Sequence, residues 1–441
     1  MQNKNKIKLC TILFFIITFN LFIINISAYS SDKNSSNLKI TNEAPVLPNI
    51  TGKTALTIDL SSGDIIYSKN ANKQMYPASI TKLMTALLFA ENAKPTDIIP
   101  VTESSKAQPA SSLDKNFGPV EIGDSLSGEE VMDALLLYSA NDSAYMIADF
   151  VSKNSTDFIA LMNEKAKNLG MNDTKFVTAN GLHDENHYTT PFDLALLGKA
   201  AYANTWIKRT LAKKNSTVEF DKSKKRIIIY TTNKDLGKDG NIGAKTGFTS
   251  EAGRCLLSIY EREGRKILGI VLDSEHGVDD TVVFNDMKTI INYSFSAKKE
   301  IFKKSGEVLD KIDMKYKAFG FLGKENSITI PIILKEDIYY YNNSYNNKLS
   351  EIKLDLTSKT PWQLATSKNL KAKFKDSYNN SEYLIEADIS LFSLIFQNFL
   401  YYLITIGGII LLVTLIIFTI SRRKKAKRRS ALFNRRKTIF K

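Results

Sequence analysis

Hydrophobic positions change period several times along the chain. Residues 54–60 and 64–67 read as two strands, joined at Ser61-Ser62-Gly63 in a hairpin turn. From Leu83 to Ala90 the chain is apolar nearly all round, which predicts a helix buried on every side. Pro77 stands just ahead of it, where a missing N–H costs nothing, so a helix is expected to open there. Residues 103–127 hold few large apolar side chains and read as loop over a surface. Ser127-Gly128-Glu129-Glu130 has the spacing of a capping box and opens a helix through Leu137. After the polar break Ser139-Ala140-Asn141-Asp142, helices are expected at 143–151, at 158–169 with Gly170 as a stop, and from Pro191 to about 203.

Beyond residue 203 the period shortens. Residues 218–220 and 226–231 alternate as strands, 243–249 is a glycine-flanked strand, and 254–260 and 266–272 are strands about Glu263-Gly264-Arg265. Residues 280–294 return to helical spacing. The pattern predicts an α+β domain over residues 51–300, with a sheet drawn from both ends of the segment and helices between. From about Lys303 only short strands are expected, at 315–322, 327–334, 338–341, 352–356 and 383–387, forming a small all-β domain over 301–390.

The two ends differ from everything between them. Residues 1–28 have a Lys-rich start, an apolar run at 9–26 and small residues to Ala28, the layout of a secretory signal peptide; an uncleaved anchor is the alternative. Residues 29–50 are polar and read as a flexible leader. No charge occurs from Ile389 to Ser421, and residues 399–420 are long and apolar enough to cross a bilayer as a transmembrane helix. The basic tail at 421–441 places that end in the cytoplasm and the preceding domains on the extracytoplasmic face of the cell membrane.

Composition sharpens this picture in two respects. The 441 residues carry a net charge of +14. Lys4, Lys6 and Lys8 account for three of those charges and the eleven Lys and Arg of residues 422–441 for the rest, leaving residues 31–421 formally neutral. The basicity is therefore a topology signal at the ends and argues against a nucleic-acid partner. Cys255 is the one cysteine after the signal segment, so no internal disulfide is expected, and its apolar neighbours mark a core thiol. His183, His187 and His276 have no metal-ligand spacing, and no metal or cofactor is expected.

Ser79 and Lys82 share one face at the open end of the buried helix. A lysine amine among apolar walls has its pKa lowered, and a neutral amine can take the proton of a serine. The same spacing occurs at Ser112–Lys115 and Ser296–Lys299, where no buried helix follows and the residues read as solvated. A helix cap with a snorkelling lysine explains Ser79 and Lys82 equally well on local grounds. Two further patterns decide between these readings: Ser139-Ala140-Asn141 between two helices and Lys245-Thr246-Gly247 on a strand.

With these three motifs in this order, the chain resembles the low-molecular-mass penicillin-binding proteins, specifically the serine D-alanyl-D-alanine carboxypeptidases. The resemblance covers about residues 46–390 and then the membrane anchor, and includes Tyr76-Pro77-Ala78-Ser79, Met162-Asn163-Glu164-Lys165-Ala166, Asn180-Gly181-Leu182 with His187-Tyr188, and Thr249-Ser250-Glu251-Ala252-Gly253. It implies a β-lactamase/transpeptidase-like catalytic domain, an antiparallel sheet with a helical subdomain. It implies Ser79 as nucleophile toward peptidoglycan stem peptides, Lys82 as its base and Ser139 as proton relay. Asn141, Lys245, Thr246, Gly247 and Phe248 would bind substrate, with the oxyanion between the N–H groups of Ser79 and Phe248. β-Lactam antibiotics would acylate the same serine. Arg254 and Val282-Val283-Phe284 depart from the family pattern, and Lys234 or Arg254 would then supply a missing cation for the substrate carboxylate. A class A β-lactamase would need a deacylating glutamate, for which Glu185 is the only neighbour and in the wrong context. Endopeptidase activity, or a non-enzymatic wall-binding or penicillin-sensing role, are the other readings.

Overall fold

The computed structural model describes residues 47–277, 280–356, 358–375 and 380–439. Residues 1–28, expected to be a signal peptide, and the expected leader before residue 47 lie outside the described residues. Strands β1 (Thr54–Asp59) and β2 (Ile65–Lys69) form the expected hairpin. Two small ribbons follow, β3 (Ile98–Pro100) with β4 (Ser125–Ser127) and β5 (Asn215–Glu219) with β6 (Arg226–Tyr230). The main sheet is completed by β7 (Asn241–Thr249), β8 (Gly253–Arg262) and β9 (Arg265–Ser274), in the order β2-β1-β9-β8-β7, antiparallel throughout.

Both faces of β8 and β9 are covered, which is why their sequences are almost continuously apolar. Leu257, Ile259, Leu268 and Ile270 join the core shared with the helical block. Leu256, Tyr260, Ile267 and Val271 alternate to the other face, against Val283, Met287, Ile290 and Ile291 of the helix Val282–Ser296. The helical block is centred on Lys82–Asn92, whose residues from Lys82 to Phe89 are all buried. Asn141–Ser152, Ser155–Asn168 and Pro191–Ala203 surround it.

A second sheet, in the order β11-β12-β16-β15-β14, and the pair β10–β13 are built by β10 (Glu300–Lys303), β11 (Val308–Lys317), β12 (Glu325–Leu334), β13 (Ile338–Tyr340), β14 (Glu351–Leu354), β15 (Leu370–Lys375) and β16 (Asn380–Ala387). It has its own core of Ile330, Ile332, Leu334, Phe374 and Ile385. A helix from Phe399 to Ile439 ends the described chain. Its first part is apolar, with none of its most apolar stretch buried and a mean hydropathy of 2.8, and is a candidate transmembrane span.

Five expectations need correction. The strand expected at 315–322 starts earlier, as β11, and stops at Lys317, with 318–323 forming a hairpin turn. Residues 103–127 are not surface loop: the short helices Glu103–Lys106 and Leu113–Phe117 and strand β4 lie there, with Leu113, Ser112 and Asp114 buried. Ser112 is consequently not solvated; its hydroxyl donates to the Pro109 carbonyl at 2.6 Å. The region after residue 303 is not strands alone, since helices Ser344–Leu349 and Pro361–Leu364 interrupt it. Strand β15, with strict in-out alternation over Leu-Lys-Ala-Lys-Phe-Lys, was legible as period two and is missing from the expected set.

Candidate active site

The nucleophile motif begins with backbone strain. Ala78 has φ of +47°, a left-handed conformation that costs a non-glycine residue about 1–2 kcal/mol. It opens a 3₁₀ turn, Ala78–Thr81, that runs directly into the α-helix at Lys82. In a 3₁₀ turn side chains three apart eclipse, so Ser79 and Lys82 stack more closely than in the α-helix the sequence suggests. Lys82 Nζ lies 2.9 Å from Ser79 Oγ.

Lys82 is fully buried, and its amine also donates to Asn141 Oδ1 at 2.9 Å and to the Asn180 carbonyl at 2.7 Å. All three acceptors are uncharged. Burial first, and then the like charge of Lys245, lower its pKa well below that of an ordinary lysine; Asp142 opposes the shift. The arrangement favours a neutral amine aimed at a serine hydroxyl.

The Asn180 carbonyl was not among the expected site groups. Its loop is pinned to the nucleophile helix by His187, which is buried and held neutral, with its pKa lowered to about 4 by desolvation. His187 Nδ1 accepts from the Val177 N–H at 3.2 Å and Nε2 lies 3.0 Å from Thr81 Oγ1, a pairing in which Nε2–H donates. The Asn180-Gly181 dipeptide in the sequence was the available signal. Gly181 has φ of +83°, and a Cβ there would stand 2.0 Å from the Ala78 carbonyl oxygen.

Ser139 and Asn141 come from the junction of two helices. The helix Gly128–Asp133 widens into a π-turn, Ala134–Tyr138, and Ser139 ends it with φ of +70°. Widened turns of this kind cluster at functional sites because they re-aim one side chain without ending the helix pair. Asn141 is fixed from the far side: its amide donates to the Ala110 carbonyl at 2.8 Å and its backbone N–H to Ser111 at 2.7 Å. The stretch expected to be surface loop is therefore a wall of this site. Asp142 anchors the same wall by accepting from the Asp114 N–H at 3.0 Å, and burial pushes its pKa up to about 6.

Strand β7 brings the third motif to the first. Lys245 is fully buried, and its amine donates to Ser139 Oγ and to the Thr246 carbonyl, both at 2.8 Å. Desolvation alone lowers its pKa to about 7. Thr246 donates to Thr232 Oγ1 at 2.6 Å, a second group the sequence reading missed and for which no pattern existed. Gly247 lets the backbones meet: a Cβ there would lie 3.0 Å from the Ser79 nitrogen and 3.1 Å from the Ala78 Cβ. Phe248 is 43% exposed at the mouth.

One of the two departures from the family pattern lies beside Phe248. The Arg254 guanidinium lies over the Phe248 ring at 4.2 Å, donates to His276 Nδ1 at 3.0 Å and pairs with Asp280. Lys234 Nζ is 3.9 Å from the same carboxylate. Val283 and Phe284 are buried under the sheet and do not reach the cleft. Cys255 is buried, and burial pushes its thiol up to about 12, so it is chemically quiet. Among the described residues no cluster of His, Cys, Asp or Glu could hold a metal ion.

A buried lysine on a serine, a second serine–lysine pair beside it, and a glycine-bearing strand closing over Ser79 stand together on a penicillin-binding-protein-like fold. A family model described as D-alanyl-D-alanine carboxypeptidase matches residues 39–276, more than half of the chain, and the protein belongs to that family of serine peptidases, peptidase family S11. D-alanyl-D-alanine carboxypeptidase DacF of Bacillus subtilis is 29% identical over 219 residues, covering 50% of this chain and 56% of the relative. A D-alanyl-D-alanine endopeptidase of Pseudomonas aeruginosa is 31% identical over 233 residues, covering 52% of this chain and 74% of the relative. The solved DD-transpeptidase of a Streptomyces strain has a TM-score of 0.52 at 26% identity, over 57% of this chain and 99% of its own. The chain thus spans little more than half of the length of several of these curated relatives, 56% for the first and 62% for DacC of Escherichia coli.

Proposed function

We propose that the protein is a membrane-anchored carboxypeptidase that removes the terminal D-alanine from peptidoglycan stem peptides through an acyl-enzyme on Ser79. The observation that carries this reading is the buried Lys82 amine, bound to Ser79 Oγ and to two uncharged acceptors. Neutral Lys82 takes the hydroxyl proton as Ser79 Oγ attacks the carbonyl between the two D-alanines. The developing oxyanion lies between the N–H groups of Ser79 and Phe248, donors of a type worth about 3–4 kcal/mol of barrier. Ser139, hydrogen-bonded to Lys245, gives its proton to the departing D-alanine nitrogen and is resupplied with the proton that Lys82 took from Ser79, so both groups return to their starting state. Lys245 and Thr246 take the terminal carboxylate, and Asn141 takes the substrate amide while holding Lys82. Water then cleaves the ester, returning Ser79 and releasing the shortened peptide. A β-lactam offers the same carbonyl next to a carboxylate and would acylate Ser79 without release. Trimming stem peptides in this way limits cross-linking.

The rest of the chain fits that role. Residues 51–300 carry the chemistry, 301–390 are a β-rich domain with two short helices, and 399–420 span the cell membrane with the basic tail inside and the catalytic domain outside, after a signal segment at 1–28. Relatives named carboxypeptidase, endopeptidase and transpeptidase differ in which bond or acceptor the acyl chemistry serves. Product analysis distinguishes them here. The enzyme is given a linear stem pentapeptide, with and without a glycine acceptor, and separately a cross-linked muropeptide dimer. Free D-alanine and tetrapeptide, little changed by glycine and with the dimer intact, are the expected products. Dominant aminolysis, or preferential cleavage of the dimer, would replace the carboxypeptidase reading with one of the other two.

A further inference from the structure

The hairpin joining β11 to β12 ends in Ala318-Phe319-Gly320-Phe321-Leu322-Gly323. Phe321 is 81% exposed and Leu322 62%, an apolar tip where a water-facing turn would carry polar residues. Lys315, Lys317 and Lys324 flank the tip, all exposed. The helix Leu391–Gln397 shows the same anomaly. Leu394 on one face is buried, yet the opposite face is also apolar, with Phe392 74% and Phe396 68% exposed and stacked on each other.

These two surfaces are fixed to the start of the candidate span. The Phe319 ring packs against Tyr402 at 5.0 Å and Tyr401 at 5.8 Å, and the Tyr402 hydroxyl donates to the Ala318 carbonyl. Asn398, between the short helix and the span, is buried; its amide donates to Tyr316 Oη at 3.0 Å and its oxygen accepts from Asn326 at 2.7 Å. Tyr316 and Asn326 face each other across the base of the hairpin. Trp362 braces it further by donating to the Lys317 carbonyl at 3.0 Å. The tip therefore has a set depth relative to the first turns of the span.

We propose that the Phe319–Leu322 tip and the Phe392–Phe396 face are seated in the headgroup boundary of the bilayer that the C-terminal helix enters. The β11–β12 sheet is then a membrane-resting foot. This inference rests on reading the C-terminal helix as a membrane span. The occupant is lipid because the apolar surface continues onto exposed Phe399, Leu400 and Leu403 of the span. Aromatic residues at that level, with lysines that can reach anionic headgroups, form the pattern of an interfacial contact. Phe321 and Leu322 contribute to insertion, Phe319 and the two tyrosines to the joint.

The test uses the full chain in Cys10→Ser background, since Cys255 is buried. Leu322→Cys, Thr329→Cys and Leu412→Cys are each labelled with an environment-sensitive fluorophore. Each is reconstituted in phosphatidylethanolamine and phosphatidylglycerol vesicles, with or without a lipid-borne quencher. Thr329 is exposed on the same hairpin, away from the tip. Loss of emission at Leu322 and Leu412, with none at Thr329, is the expected result. Quenching at Leu412 without quenching at Leu322 would overturn the foot and leave the span standing. Quenching at neither would overturn both. A Leu322 label shielded from water but indifferent to the lipid quencher would mean that a second copy or another protein covers the tip, and would also overturn the proposal.

Discussion

Lys82→Met lowers the rate of Ser79 acylation by about a thousandfold, inside the range of about 10²–10⁴ that a positioned general base contributes. Methionine nearly matches the volume of lysine, so the effect is chemical rather than steric. The amine sits in a fully buried pocket whose acceptors are a hydroxyl, an amide oxygen and a carbonyl, with no carboxylate bonded to it. Removing it leaves Asn141 Oδ1 and the Asn180 carbonyl without a donor, at about 1–3 kcal/mol each. It also removes the desolvation cost of the amine, which offsets that loss. Thermal stability is therefore expected to change little while acylation collapses. Stopped-flow measurement with a reporter β-lactam, beside a melting curve, separates the two.

The pH profile gives the same residue a second signature. Lys82 must be neutral to act as base, so kcat/KM rises as it loses its proton. Lys245 must be charged to receive a carboxylate, so kcat/KM falls as it deprotonates near pH 7 in the free enzyme. Burial and the charge of Lys245 both press Lys82 to release its proton first. The wild type is thus bell-shaped, and the residual activity of Lys82→Met retains the falling limb only. A rising limb that survives the substitution would remove Lys82 from the base role.

Gly181→Ala is the second large effect, although Gly181 contributes no side chain. Its φ of +83° costs alanine about 1–2 kcal/mol. The new Cβ would stand 2.0 Å from the Ala78 carbonyl oxygen and 2.8 Å from Thr81 Oγ1, an overlap that only backbone movement relieves. Overpacking of this kind typically adds about 1–3 kcal/mol. The movement displaces the preceding carbonyl, which holds Lys82, and the strained residue that precedes Ser79. Misplacement by about 1 Å costs of order a hundredfold in rate. Gly264→Ala is the control: φ is +78° there, but an added Cβ meets nothing within 4 Å. It should cost only the left-handed penalty and leave turnover alone. Equal behaviour of the two variants would show that the approach of the 180–181 loop to Ala78 is unimportant.

The contrast between Lys82 and Gly181 shows how far the sequence reached. Ser79, Lys82, Ser139, Asn141 and Lys245 were legible because side-chain chemistry recurs at fixed spacing on a helix turn, an inter-helix junction and a strand. The order of the main strands and the coverage of both faces of β8 and β9 were not read from the sequence, because pairing partners are tertiary facts. Groups acting through backbone atoms left little trace. The carbonyls of Asn180 and Ala110 could belong to any residue, so nothing in the residue types marked them. The stretch at 103–127 looked like loop because its buried groups are small and polar: Ser105, Ser112 and Asp114 are buried by hydrogen bonding rather than by hydrophobicity. Thr232 reaches Thr246 only because β6 ends beside β7, a tertiary fact without a local pattern.

The departure at Arg254 also looks different in three dimensions. The sequence suggested Arg254 or Lys234 as a substitute cation for the substrate carboxylate. Both side chains instead converge on Asp280 beside Phe248, so any such service requires the substrate to compete with that carboxylate.

The most direct measurement is D-alanine release from diacetyl-Lys-D-Ala-D-Ala by the full chain in detergent, compared with Ser79→Ala of equal melting temperature. Release by the wild type and none by the variant is the result the geometry at Lys82 requires. Release that survives in Ser79→Ala, or absence of release from a wild type whose Ser79 is still acylated by penicillin, would contradict a Ser79 carboxypeptidase.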